Sequence, residues 1–492
     1  MENSNLNSSK KLKSKSKILK GAGMLAIAAI IAKAIGVLYR IPLTNIVGSS
    51  GIGLYHMIFP LYVLLLTISS GGLPIAISKV VAVKIANGDK AGTRRVLKLS
   101  LISLTSIGLA LALLLFFMRN IIANLQGNPS VALGYAAIAP AIVFVAIIAS
   151  FRGYFQGHQN MLPSSISQLV EQVIKMGAGI VLAILLLPRG IEMAIFGALL
   201  GVSISEGIAA LILWLQYLHF NKKSKNKNFI VNNNLKTEFA TDVLIIENMA
   251  NSSIETKGQP PCFSTGARSV LKEIYAIALP VTLGSLVMPL MGLIDSVMVV
   301  NLLVRGGISV DTATSLFGIL TGPVGTLLNM PTVVTLAFAV ALLPKISESI
   351  AKSKNPKKYI NQCFKWCIIL GAAASILLVA LGWLALRILY SGGLTVEELS
   401  IATRLLAIGS VSVLLISILQ VATSVLQGMG KAHKPAINLA IGAVFKITLS
   451  LLLLPLIGIY GAAIATVACY GITCLLNIVS YKRLRLEKLE TK

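Results

Sequence analysis

RGYFQGHQNMLPSSISQLVEQVIK, residues 152–175, joins two apolar segments and returns in altered form at 424–447 as SVLQGMGKAHKPAINLAIGAVFKI. Gln156-Gly157 aligns with Gln427-Gly428, and Lys175 with Lys446, both at an offset of 271. Pro163 and Pro435 stand 272 apart, so the register slips by one. A repeat on this scale divides the chain into two related halves. The surroundings of the motif set the environment. The chain has 492 residues, of which 56% are hydrophobic and 12% charged, and its mean hydropathy is +0.85. Soluble domains average about 25% charged residues. So much apolar surface cannot be hidden in a core bounded by water, which implies an integral membrane protein. Alternating strand patterns are absent, against a β-barrel.

Twelve apolar segments can be counted, at roughly 22–47, 54–78, 99–118, 131–151, 164–187, 192–219, 274–302, 313–343, 366–390, 402–428, 435–456 and 459–481. Each is near the ~20 residues a bilayer-crossing helix needs. The basic residues test the count. With the N-terminus assigned to the cytoplasm and the spans alternating, 34 of the 43 Lys and Arg fall in cytoplasmic tails and loops. Only Arg119, Arg189 and Arg305 fall outside, and Lys33, Arg40, Lys175, Arg387, Arg404 and Lys446 lie within spans. That asymmetry is the positive-inside rule, and a miscounted helix would scramble it. It also accounts for the net charge of +26 without nucleic acid, for which no motif is present. A multi-pass protein of the cell membrane is expected, with both termini cytoplasmic.

The expected organisation is a cytoplasmic tail at 1–20, a six-helix lobe at 21–219, a mobile Asn/Lys-rich cytoplasmic linker at 220–269, a second six-helix lobe at 270–481 and a tail at 482–492. Six is even, so the halves start on the same side and are parallel repeats about an axis along the membrane normal. Pro and Gly interrupt many spans, including Pro42, Pro60, Gly71-Gly72, Pro140, Pro280, Pro289 and Pro331. Interruptions of this kind are tolerated beside neighbouring helices or a water-filled cavity. They favour a transporter that moves, although membrane helices carry more Gly and Pro in any case.

Charges within spans are the most informative side chains, because each costs about 2.5–3.5 kcal/mol at the bilayer centre on insertion scales. Lys33 lies roughly 13 Å past Met24 along the first helix and Arg40 roughly 24 Å past it. Seven residues apart, they share one helix face. Two cations with no acid on that helix suit an anion such as a phosphate, which Arg can hold in a bidentate fork. Snorkelling, or pairing with an acid elsewhere, is the alternative. Aligning AIGVLYR (34–40) with LMGLIDS (290–296) puts Asp295 opposite Tyr39, one position from Arg40. The two charges are then expected to pair across a cavity, with Asp295 able to take a proton or cation; a structural ion pair is the plainer reading. Glu171 and Lys175, spaced i, i+4, are expected to pair within one helix, whereas Lys446, near mid-membrane with Gly442 where the repeat would place an acid, is left without such a partner and is expected to join Lys33, Arg40 and Asp295 as a substrate-binding residue of the cavity. Arg152 and Lys79 read as caps of helix C-termini, with gating as the alternative. Glu206 is a further acid within a span, without an evident partner.

Several chemistries lack their motifs. GMGKA near Gly430 does not have P-loop spacing, and neither HExxH nor GxSxG occurs. Cys363 and Cys367 lie a turn apart without the further ligands a zinc site wants. No cofactor or enzymatic activity is expected. Energy would come from an H+ or Na+ gradient, the membrane potential or the substrate gradient.

GLPIAISKVVA (72–82), RGYFQGHQNMLPSSISQLVEQV (152–173) and KAIGVLYRIPL…VGSSGIGLY (33–55) resemble the stage V sporulation protein B group of polysaccharide-biosynthesis proteins. That group sits in the multidrug/oligosaccharidyl-lipid/polysaccharide (MOP) flippase superfamily, with lipid II flippases and multidrug and toxin extrusion (MATE) antiporters. The resemblance covers nearly all twelve spans and is tighter in the first half. It implies a MATE-like, all-α fold, two six-helix lobes in a V around a central cavity, working by alternating access. It implies a lipid-linked sugar diphosphate as substrate, such as a peptidoglycan precursor for spore cortex or cell wall, with membrane lipids and cell-wall synthesis proteins as partners. Lys33 and Arg40 occupy places comparable to the cavity cations of lipid II flippases. The arginine those proteins carry on the second helix has only uncharged counterparts here, around Thr67, and the two further C-terminal spans of many relatives are not in this sequence. A cation-coupled drug exporter and a non-transporting scaffold docking through 220–269 are the competing functions. A glycosyltransferase lacks its acidic metal-binding cluster.

Overall fold

A computed structural model describes residues 2–226, 266–351, 357–429, 431 and 433–490. The described chain is helical, with short turns between helices and no strand. In the first half α1 spans Glu2–Ser70, α2 Leu73–Ala86, α3 Lys90–Leu125, α4 Val131–Gly157, α5 Leu162–Leu186 and α6 Ile191–Asn226. In the second, α7 spans Ala267–Ser285, α8 Val287–Arg305, α9 Val310–Ile319, α10 Gly325–Ala351, α11 Lys357–Tyr390, α12 Val396–Gly428, α13 His433–Ile457 and α14 Ile459–Glu490. A π-helical turn at Leu320–Val324 joins α9 to α10. The expected linker falls largely on 227–265, which lie outside the described residues.

α1 holds two membrane crossings rather than one. Its backbone leaves helical geometry at Gly48, where φ is 70°, a conformation only glycine adopts cheaply. The rings of Tyr39 and Tyr55 lie 6.5 Å apart between centroids. A straight helix would separate residues sixteen apart by about 24 Å, so the chain folds back at Gly48. The second arm ends at Gly71-Gly72, where φ at Gly72 is 68° and Pro74 opens α2. With α7–α8 and α9–α10 each making one broken crossing, the described residues contain twelve, as the hydropathy pattern predicts. Outward-facing side chains such as Phe117, Ile376 and Leu456 are exposed apolar groups, which a bilayer solvates and water does not.

The two elbows correspond in space as in sequence. α4 ends at Gly157 and α5 starts at Leu162; α12 ends at Gly428 and α13 starts at His433. Each pair of boundaries differs by 271, the offset of the repeat. The elbow has a built structure in the first half. His158 caps α4 with its ring Nδ1 2.9 Å from the Tyr154 carbonyl, and its ring meets that of Phe220 edge-on. Burial lowers the imidazole pKa, so His158 stays neutral at pH 7 and serves packing.

By the alternation of the crossings, the two elbows, the end of α6 and the start of α7 lie on one side, here termed the basic face. The Gly48 fold and the 390–395 turn lie on the other, the far face. Towards the far face the halves share one core, in which Tyr39, Leu43, Ile52 and Met57 pack with Val299, Phe317, Leu386 and Leu405. Towards the basic face, contacts between halves run mainly through α7, which packs on α2 and α3 of the first half. There Val270, Ile274 and Ala278 join the core of Ile77, Val81 and Phe155. Thr282 donates a hydrogen bond to the Gly71 carbonyl.

Candidate functional site: a cationic cavity between the halves

The first arm of α1 and the basic-side half of α5 enclose a cavity of about 390 Å³. Lys33, Gly36, Arg40, Gln168, Gln172 and Lys175 line it, with Tyr55 and Phe59 from the second arm and Asn329 from α10. Lys33 and Arg40 share a helix face, as their spacing predicts, and that face is the cavity wall. Lys33 is exposed and Arg40 half-buried. Asn329 is the contribution of the second half.

Lys175 reaches the cavity by a route the i, i+4 rule does not give. Glu171 pairs with Arg152 on the preceding helix, Nη2 to Oε2 2.9 Å, instead of with Lys175. Arg152 also donates from Nε to Ser167 Oγ at 3.1 Å, and Gln172 Nε2 donates to the remaining Glu171 oxygen at 2.9 Å. A guanidinium binds a carboxylate more geometrically than an ammonium does, and the tight elbow brings Arg152 within reach. Arg152 therefore anchors α5 to α4 from inside α4; it is not a helix cap. Lys175 is left with its ammonium 5.0 Å from the centre of the Phe59 ring, a cation–π contact.

Among the described residues no carboxylate lies within ion-pair distance of Lys33, Arg40 or Lys175, and none lines the cavity. Three cations in a membrane-embedded, partly desolvated space are costly unless something compensates them. The wall also offers the amides of Gln168, Gln172 and Asn329, and the aromatic side chains of Tyr39, Tyr55 and Phe59. Such a surface can hold a multiply charged anion bearing hydroxyl or amide groups.

Asp295 and Lys446 do not line this cavity. Asp295 does not meet Arg40; it pairs with Lys446 across α8 and α13, Nζ to Oδ2 2.5 Å. The alignment on Gly36 and Gly292 does not carry over into a contact between Asp295 and Arg40, and the repeat positions Lys175 and Lys446 have opposite surroundings. Lys446 is satisfied by an acid on another helix, Lys175 is not. Lys79 lies half-buried on α2 at the basic side, away from the cavity; its neighbour Lys84 meets Asp89 at 3.5 Å. Glu206 is buried on α6, behind the wall. Sequence reasoning passed over Gln168 and Gln172. Their spacing with Lys175, four and then three residues, was the available signal: a polar stripe on one face of an otherwise apolar helix.

The far-face seam is polar and continuous. Asn45 Nδ2 donates to the Leu389 carbonyl at 2.7 Å. Ser49 donates to Glu398, whose other oxygen closes a capping box with Thr395 at the start of α12. Gln126 bridges the Met57 carbonyl and Ser296, each at 2.9 Å, and Asn128 donates to Thr314 at 2.9 Å. Gly53 and Gly318 allow the backbones to touch; a Cβ at either would overlap the opposing chain.

The arrangement of two six-crossing halves has counterparts among solved structures. An inward-facing multidrug resistance MATE family transporter of the MOP superfamily superposes with a TM-score of 0.65, covering 96% of this chain and 99% of that one at 14% identity. The two chains share a fold. Residues 18–245 match the model of the polysaccharide biosynthesis protein family. The chain is 28% identical to stage V sporulation protein B of Bacillus subtilis (strain 168) over 475 residues, which cover 95% of this chain and 84% of that protein. It is 26% identical to lipid II flippase MurJ of the same organism over 488 residues, covering 95% and 83%.

Proposed function

We propose that this MOP-fold protein is a flippase that carries a lipid-linked sugar diphosphate of the peptidoglycan-precursor type across the cytoplasmic membrane by alternating access. The observation that carries the reading is the cavity with three cations, amides and aromatic faces but no acid. A diphosphate supplies the missing negative charge, amides suit sugar hydroxyls, and a prenyl chain can stay in lipid. The similarity to a protein named lipid II flippase supports that substrate class, and the similarity to stage V sporulation protein B supports a role in cell-wall or spore-cortex synthesis. An acid-free cavity argues against a cation-coupled drug exporter.

In this reading the basic face is cytoplasmic, as its Lys and Arg favour, and both termini are inside. The headgroup enters from the basic side while the far-face seam is closed. Arg40 and Lys33 take the diphosphate through charge-assisted hydrogen bonds. Parting of the seam then withdraws Asn329 and exposes the headgroup to the other side. An H+ or Na+ gradient or the membrane potential drives the cycle. A photoreactive lipid-linked sugar diphosphate tests the assignment: it should label peptides containing 33–40 and 168–175, with competition by unlabelled lipid. Labelling confined to lipid-facing helices would contradict it.

A further inference from the structure

The first half contains a charge relay, Arg152–Glu171–Lys175, whose parts lie at different depths. Arg152 and Glu171 are largely buried between α4 and α5, and Lys175 stands one turn beyond Glu171 at the cavity wall. Two carboxylate oxygens are available on Glu171, and both are taken: one by the Arg152 guanidinium and one by the Gln172 amide. Gln172 is itself held, since its carbonyl oxygen lies against Gly36 of α1, where a Cβ would sit 3.3 Å away. Ser167 fixes the Arg152 fork from the other side. Both Glu171 oxygens are thus engaged by Arg152 and Gln172, and Glu171 forms no ion pair with Lys175 although the helix places the two residues one above the other.

We propose that Lys175 is a third anion-binding residue of the cavity, and that Arg152 is a positioning residue that keeps it free by holding Glu171. The inference rests on the anion-binding reading above and deepens it. It also explains how the cavity can work with no cation on the second arm of α1, where the residues near Thr67 are uncharged. The third positive charge comes from α5. Phe59, on that second arm, supplies only the aromatic face over which the ammonium rests. The second half lacks the relay: Gly442 replaces the acid, and Lys446 is bound to Asp295. The three cations of the cavity thus all come from the first half.

The test uses the full-length protein in nanodiscs, with undecaprenyl diphosphate as probe and affinity as readout. Lys175→Gln should weaken binding about ten-fold, the effect of one charge-assisted hydrogen bond. Arg152→Gln should weaken it similarly, because Glu171 is released to pair with Lys175. The double variant Arg152→Gln/Glu171→Gln should return affinity to within about three-fold of wild type, since the carboxylate released by the loss of Arg152 is then gone, while Glu206 on α6, which also acts electrostatically on Lys175, is the same in every variant. A merely structural ion pair would also be relieved by the double variant, so the deciding readout is the reactivity of Lys175 itself, which a structural role for Arg152 would not slow. Acylation of Lys175 by a small activated ester, whose acyl group passes to Nζ as its alcohol leaves, followed by peptide mass spectrometry, reads the relay without ligand: Arg152→Gln should slow it and the double variant restore it. Unchanged acylation in Arg152→Gln, or no rescue in the double variant, overturns the relay. Unchanged affinity in Lys175→Gln, with Arg40→Gln weakened, overturns the role of Lys175 and leaves the cavity reading standing. No binding of the probe by the wild type overturns both.

Discussion

Asp295→Asn should be among the most destabilising single changes in the second half. The Lys446 side chain is 9% exposed and the Asp295 side chain 23%, with 2.5 Å between charged atoms. Coulomb attraction at that distance and an effective dielectric of about 20 is roughly 7 kcal/mol before desolvation. Desolvation of the two ions cancels most of it, so the pair is worth little against an apolar replacement. Removing one partner is different. Asn leaves an ammonium buried without its counter-ion, at a cost of about 3–5 kcal/mol. Lys446→Met should cost less, because Asp295 is the more exposed partner and can rehydrate. The double variant Asp295→Asn/Lys446→Met should recover most of the loss. Reversible unfolding by SDS in mixed micelles, read from tryptophan fluorescence, measures all three. An Asp295→Asn variant within about 1 kcal/mol of wild type, or a double variant no better than the single, would refute the pairing as the anchor of α8 on α13.

Two further outcomes follow from the seam and from the basic face. A Cβ at Gly392 would lie 3.7 Å from the Asn45 Cβ, within the ~3.5–4.5 Å range of a disulfide; Asn45→Cys/Gly392→Cys should therefore cross-link under oxidation, hold the far face shut and abolish transport until a reductant is added. Failure to cross-link on a gel, or full transport by the cross-linked protein, counts against the seam as a gate. Glu273 on α7 is pushed up to about 7 by burial, against the pull of Lys84 and Lys79. The folded state then holds the proton more tightly than the unfolded one, so stability falls as pH rises from about 4.5 to 7, and Glu273→Gln should flatten that slope in thermal unfolding between pH 5 and 8. An unaltered slope would remove Glu273 from the α2–α7 contact.

The membrane class, the twelve crossings and the two halves were legible in the sequence because hydropathy and basic-residue asymmetry are set by the solvent, not by the fold's details. The elbows were legible too, through a repeat whose helix boundaries keep the offset of 271. Partner choice was not. Glu171 has a helical neighbour at Lys175, and no local rule reports that the turn at 158–161 delivers Arg152 to the same carboxylate. Asp295 and Lys446 are 151 residues apart, so only the packing of α8 on α13 joins them. The fold-back at Gly48 was expected from the length of the apolar run, but not that helical structure would continue on both sides of a single positive-φ residue. Lys33 and Arg40 were readable as one face because helix periodicity is local; that their face meets α5 is a tertiary fact.

Proteoliposomes carrying a fluorescent lipid-linked sugar diphosphate, quenched from one leaflet, measure translocation by the cationic cavity directly. The wild type should move the lipid between leaflets, and Arg40→Ala should slow the movement at least about ten-fold, the loss of one bidentate charge-assisted contact. No movement by the wild type, or undiminished movement by Arg40→Ala, would contradict the account.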